Sequence, residues 1–391
     1  MKNAVASFYK RRRMQKWIYF LGLIFVVTTG CNTMYGEHNA AVESEWLWEK
    51  ESPESQSIRS EDMAGMIEYI DSNKISIHSI IIYQNGTIPL EVYFKPYNKH
   101  VSHNMKSTSK VVISALVGIA LREGYIESLD ESAFSYFPEY DVNSGRKSRI
   151  TLRDLLTMSS GLKWEENNLN SMYTFFVSKR IVKRVLNQPL VSEPGSKFNY
   201  NTGLTHLLSA IISKASGTST LQFAERYLFQ PLDIHNVQWE KDRDGFHIGG
   251  SELFMTPRAM TKFGVMYLNG GEYAGRQIVP KDWVTESTMT QIEGLFHGAR
   301  VKYGYLWWVD IGNQLFTYLD NEKDFLAMGV HGQRIYICPN LDTVVVITAD
   351  QSDESQCDIL IRDFIMPAFS KEVDLPSHPT AETRLREGDK S

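Results

Sequence analysis

The sequence predicts an α+β fold in two lobes, an antiparallel sheet flanked by helices beside a helical lobe. Three observations carry that prediction. Two strand-like runs (75–83 and 88–94) meet across Asn85-Gly86, a pair that readily supplies the positive φ angles of a tight hairpin. Strand-rich runs return late in the chain, at 303–309, 333–338 and 343–348, the last two separated by a turn at Pro339-Asn340. Helical patterns fill the stretch between, so the two ends build the sheet and the middle builds the helices.

Composition sets the bounds. A chain of 391 residues holds one large domain or two to three ordinary ones. Hydrophobic residues at 42% and charged residues at 22% describe a globular protein with a sizeable core. A net charge of −5, without a basic-aromatic module, argues against nucleic acid as a partner. The 10 histidines are scattered, with no HExxH or Cys-x-x-Cys spacing, so no metal is expected.

Taken in order, residues 1–30 read as a signal peptide: a basic cluster at 10–16, then the apolar run WIYFLGLIFVV at 17–27. That run is well short of the about 20 residues a spanning helix needs. Thr28-Thr29-Gly30-Cys31 follows and resembles a bacterial lipoprotein cleavage site, with Thr28 where Leu is usual. A lipid on Cys31 would tether the protein to a membrane; a plain secretory peptide and a short anchor are the other readings, and all three export the body to the cell envelope. Cys338 and Cys357 then remain, either as a disulfide or as two buried thiols. Residues 31–60 read as a polar linker, 61–370 as the folded body and 371–391 as a loose tail. Within the body the expected helices are 61–71, one opening at 151–156 with Thr151 as N-cap, 172–186, 204–214, 257–267 and 359–369, with the stretch 223–229 and a Gly-rich loop at Gly249-Gly250 around them.

The chemistry is placed in residues 104–120, NMKSTSKVVISALVGIA. Ser107 and Lys110 stand three apart, which sets hydroxyl and amine on one helical face. The run behind them has no polar stripe and predicts a helix buried on all sides. Such a helix holds its first turn still, as a nucleophile that hands its proton to a neighbour requires. Spacing alone is not distinctive, since it recurs at Ser7/Lys10, Ser144/Lys147 and Ser160/Lys163, none of which leads into a buried helix. Ser107 could equally be an ordinary N-cap.

Six blocks extend the reading: Ser107-Thr108-Ser109-Lys110, TLRDLLTMSSGL from Thr151, PGSKFNYNTGLTHLLSAII from Pro194, GGSELFMTPRAMTKFGVMYLNGG from Gly249, YGYLWW from Tyr303 and HGQRIYICP from His331. In their order and spacing they resemble the serine β-lactamase and penicillin-binding-protein superfamily, in the branch with class C β-lactamases, family VIII esterases and related amidases. The resemblance implies the β-lactamase/transpeptidase-like two-lobed fold and acyl-enzyme chemistry without metal or organic cofactor. It makes Ser107 the nucleophile, with Lys110 and Tyr200, the first residue of a Tyr-x-Asn motif, as the proton-transfer pair. Free Tyr and Lys both titrate at about 10. Together in a dry site, Lys⁺ favours tyrosinate while burial favours neutral amine, so either can take the Ser107 proton. The oxyanion hole is expected from the backbone N–H of Ser107 and one near Gln333.

Two departures from the family pattern shape the expected substrate. Thr202 replaces the Asn of Tyr-x-Asn, removing the amide that contacts an acylamino group; Asn201 is adjacent and expected to point elsewhere. Val330-His331-Gly332, or His331-Gly332-Gln333 after a one-residue shift, replaces the Lys-Thr-Gly strand motif and removes its cation. Thr202, His331, Gly332 and Gln333 are the substrate-binding candidates; His331 donates to substrate or fills the strand. Tyr303, Tyr305, Trp307 and Trp308 wall the site or form a strand's core face. The expected substrate is a small-molecule or peptide ester or amide with no obligatory carboxylate beside the scissile bond. The alternatives are an envelope protein that binds or senses without turnover, and a peptidoglycan D,D-peptidase.

Overall fold

Asn85 and Gly86 both take positive φ, 47° and 83°, and the turn they make joins β1 (Ile77–Gln84) to β2 (Thr87–Tyr93). A computed structural model describes residues 48–140, 145–166, 180–310, 323–370 and 375–388. The remaining strands are β3 (His103–Asn104), β4 (Gln238–Trp239), β5 (Leu253–Met255), β6 (Glu272–Tyr273), β7 (Arg276–Gln277), β8 (Ile292–Phe296), β9 (Ala299–Tyr303), β10 (Trp308–Val309), β11 (Phe325–Gly329), β12 (Gln333–Cys338) and β13 (Thr343–Ala349). Eight of them form one antiparallel sheet in the order β2-β1-β13-β12-β11-β10-β9-β8. Early and late parts of the chain meet near one edge of it, where β1 pairs β13 with Ile80 opposite Ile347. Every residue of β1, β12 and β13 is buried, so this part of the sheet is covered on both faces.

The helices are α1 (Ser60–Asn73), α2 (Ser109–Arg122), α3 (Leu152–Leu156), α4 (Ile181–Leu186), α5 (Thr202–Ser216), α6 (Thr220–Ala224), α7 (Pro257–Leu268), α8 (Lys281–Ser287), α9 (Ser355–Ile359) and α10 (Pro379–Gly388). The helical lobe gathers around α5, which touches α2, α3, α4 and α6, while α7 lies on the sheet against β1, β12 and β13. A Cβ on Gly264 would sit 2.6 Å from Val344 Cγ1, so glycine is what lets α7 approach β13. Thr151 caps α3 through a reciprocal capping box with Asp154.

The structure corrects three expectations. Residues 48–60 belong to the folded body rather than to a linker: Ile88 N–H donates to Glu49 O along β2, and Glu54 Oε1, buried, accepts from Ser60 N–H. Residues 379–388 are not a loose tail but α10, which lies on α1 and β2 with Ala381 and Leu385 buried. The run 303–309 is two strands, broken where Leu306 takes φ 67°. Of the helix expected at 172–186, residues 172–179 lie outside the described residues and Ile181–Leu186 is helical. Cys338 and Cys357 are free buried thiols, and burial pushes both up to about 12.

Candidate active site

The site is assembled at the amino-terminal end of α2. Asn104 pairs with Phe254 across β3 and β5, and Met105 N–H donates to Leu253 O, which pins the chain just ahead of the serine. Lys106 turns it with φ 53° and starts a 3₁₀ turn, Lys106–Thr108, that runs straight into α2. Thr108 N–H donates to Met105 O and Ser109 N–H to Lys106 O. The Ser107 N–H precedes this ladder, one of the orphan donors of a helix start. From Ser109 to Ala120 every residue of α2 is buried, as the absence of a polar stripe predicted.

That rigid start holds Lys110 Nζ 2.8 Å from Ser107 Oγ. The amine's other contact is Gly250 O at 3.0 Å. Gly250 reaches it because it has no side chain: a Cβ there would lie 2.4 Å from Thr202 Cγ2. Lys110 is thus wholly buried among neutral oxygens. Burial lowers its pKa to about 8, against a smaller upward pull from the more distant Glu166.

Tyr200 closes the set. Asn199 N–H donates to Met158 O, and Asn201 Oδ1 accepts from Gly203 N–H to cap α5, so the tyrosine is fixed from both sides. Asn201 therefore does point elsewhere. Ser107 is near enough to the Tyr200 phenol to pull its pKa down slightly, and Lys110 Nζ lies 5.0 Å from its ring centroid. Trp308 stacks on the ring at 5.5 Å, with Phe296 at 5.2 Å and Tyr303 edge-on at 6.3 Å. Burial, then the charge of Glu166, holds the phenol well above its ordinary value. The expectation that Lys⁺ would favour tyrosinate fails, because burial acts on both groups and favours the neutral form of each.

The expected binding residues divide. Thr202, at the start of α5, donates both its backbone N–H (3.0 Å) and its hydroxyl to the Glu166 carboxylate, so that hydroxyl proton is committed. His331 fills no strand: it takes φ 67° in the turn between β11 and β12, half-exposed, with Nδ1 2.9 Å from Asp350 Oδ1. Gly332 takes φ 95°, and a Cβ there would meet Cys357 Sγ at 2.6 Å. Gln333 turns its side-chain amide into the sheet, donating to Ala349 O at 2.5 Å, while its carbonyl lies 3.5 Å from Thr108 Oγ1 beside the serine turn. Of the aromatics, Tyr303 and Trp308 border Tyr200; Trp307 packs on Tyr267, and Tyr305 on Trp283.

Glu166, Gly250 and Phe296 were not legible as site residues. Glu166 sits in the polar run EENN, which reads as surface. Cys31 and the export segment lie outside the described residues. Among the described residues no helix is long and apolar enough to cross a membrane, and no group of three His, Cys, Asp or Glu could hold a metal ion.

A large antiparallel sheet beside a helical lobe, with a half-buried serine against a buried lysine and tyrosine at their junction, is the β-lactamase/transpeptidase fold. The chain belongs to the beta-lactamase family, whose model matches residues 66–366. Over 160 residues it is 27% identical to the 6-aminohexanoate-dimer hydrolase of Paenarthrobacter ureafaciens, spanning 38% of each chain. Among solved structures it resembles a Bacillus anthracis protein provisionally named 6-aminohexanoate-dimer hydrolase, with TM-score 0.65 and 23% identity over 77% of this chain and 80% of that one. A family VIII carboxylesterase matches with TM-score 0.60 and 15% identity over 84% of this chain and 96% of that one.

Proposed function

We propose that the protein is an exported serine hydrolase that cleaves esters or amides through an acyl-enzyme on Ser107. The observation that carries this reading is the 2.8 Å contact between Ser107 Oγ and a buried lysine titrating near 8. At pH 8 about half of Lys110 is neutral and can take the hydroxyl proton as Oγ attacks the substrate carbonyl. The oxyanion that forms is stabilised by the backbone N–H groups of Ser107 and Gln333. Lys110 then returns the proton by way of the Tyr200 phenol to the leaving oxygen or nitrogen, and water releases the acyl group by the reverse path.

The esterase or amidase assignment is favoured over a β-lactamase or D,D-peptidase by what the motifs lack. Without the strand lysine nothing in that turn carries a permanent charge for a substrate carboxylate, and Thr202 is bound to Glu166. The names of the relatives, a 6-aminohexanoate-dimer hydrolase and a carboxylesterase, support the same class. We place the body in the cell envelope, tethered through a lipid on Cys31.

A fluorophosphonate probe tests the reading directly. Wild-type protein should label and the Ser107→Ala variant should not. Stable labelling by a fluorescent penicillin without turnover of aryl esters would instead indicate the sensor, and rapid cephalosporin hydrolysis with no esterase activity would indicate a β-lactamase.

A further inference from the structure

The motif substitutions leave the surroundings of the nucleophile without a strand cation. The lysine that the strand motif would supply is absent, and the histidine of that turn, His331, is already paired with Asp350. A carboxylate, Glu166, also acts on the site. Glu166 is half-buried and fixed by three donors, the Trp164 indole N–H at 2.5 Å and the Thr202 N–H and hydroxyl. All three are neutral, and among the described residues no lysine or arginine forms an ion pair with it. A fixed anion with only neutral partners in a partly dry site is a place for an external cation.

Its location decides which part of the substrate it would meet. Thr202 occupies the position whose side chain, in the resemblance drawn above, contacts the acyl half of the substrate, and its methyl carbon packs on Gly250 beside Lys110. Glu166 is bonded to that same threonine, and its charge is felt by Lys110, Tyr200 and Tyr303 alike.

We propose that Glu166 is a specificity-determining residue that selects substrates carrying a cationic group on the acyl portion. This inference rests on the acyl-enzyme reading of Ser107 and deepens it. A carboxylate held against Thr202 takes the place of the missing asparagine amide, so recognition passes from hydrogen bonding to charge.

The test compares two p-nitrophenyl esters of nearly identical shape, those of 4-(trimethylammonio)butanoic acid and 5,5-dimethylhexanoic acid. Their difference is a permanent positive charge, and kcat/KM for each is corrected for spontaneous hydrolysis. Wild-type protein should prefer the cationic ester by about tenfold, the size of one well-placed charge contact worth about 1.4 kcal/mol. Glu166→Gln, which keeps an acceptor for Thr202, should bring the ratio to about one. Because Glu166 also acts on Lys110, the variant changes both rates together, and the ratio cancels that effect. Raising salt to 1 M in the wild type should shrink the preference without any substitution, since screening then acts over about 3 Å. A wild-type ratio near one, or a preference that survives both Glu166→Gln and high salt, overturns the proposal. Failure of both esters to react with wild-type protein would instead overturn the hydrolase reading beneath it.

Discussion

Among the described residues, the fold treats two of its buried basic side chains, Arg334 and Lys110, in opposite ways. Arg334 on β12 has a carboxylate in contact: its Nε donates to Asp358 Oδ1 at 2.8 Å, and its other nitrogens donate to Gly329 O, Gln333 O and Glu354 O. That pairing keeps the guanidinium charged and ties the His331 turn to α9. Lys110 on α2 has only a hydroxyl and a carbonyl in contact, and its pKa falls to about 8. Burial acts on both; a contacting anion decides the outcome. A compensated cation is structural, and an uncompensated one is a base available near neutral pH.

The contrast can be broken from either side. The largest effect is expected at Lys110: Lys110→Met should lower kcat/KM for an aryl ester by on the order of 10²–10⁴-fold, as loss of a general base does. On the other side, Asp358→Asn should strand the Arg334 charge and destabilise the fold by about 3–5 kcal/mol, read by urea unfolding. Tyr200→Phe sharpens the roles within the site. A phenol that stays protonated serves the leaving group, so amide cleavage should fall by about 10² while a p-nitrophenyl ester, whose leaving group departs without a proton, loses much less.

The smallest effect has the opposite sign from ordinary core damage. Unfolded Lys110 titrates near the ordinary lysine value of 10.5 and folded Lys110 near 8. Between those values the unfolded chain holds a proton that the folded protein lacks, so stability rises with pH across the window and is lost as pH falls toward 8. Lys110→Met escapes that loss. It should be more stable than wild type at pH 7 by about 0.5–2.5 kcal/mol, at 1.36 kcal/mol per pH unit less the two lost hydrogen bonds, and the difference should reverse or vanish above pH 11.

Much of this was legible in the sequence because it is local. Ser107 and Lys110 lie one helical turn apart, and the apolar run after them marked the buried helix. Asn85-Gly86 fixed the hairpin for the same reason. What escaped was set by distant contacts. Gly250 meets Lys110 across 140 positions, and Glu166 meets Thr202 across 36, with no pattern to announce either. The α10 helix was missed because its apolar stripe is thin and its sequence PTAETRLREG is mostly polar. Residues 48–60 join the body largely through backbone hydrogen bonds, which composition does not record.

The central claim, that Lys110 is held neutral enough to deprotonate Ser107, is tested most directly by the pH dependence of fluorophosphonate labelling under single-turnover conditions. The second-order rate should rise tenfold per pH unit on the acid side and level off through an apparent pKa near 8, the value burial gives Lys110. A labelling rate independent of pH between 6 and 9 would contradict it.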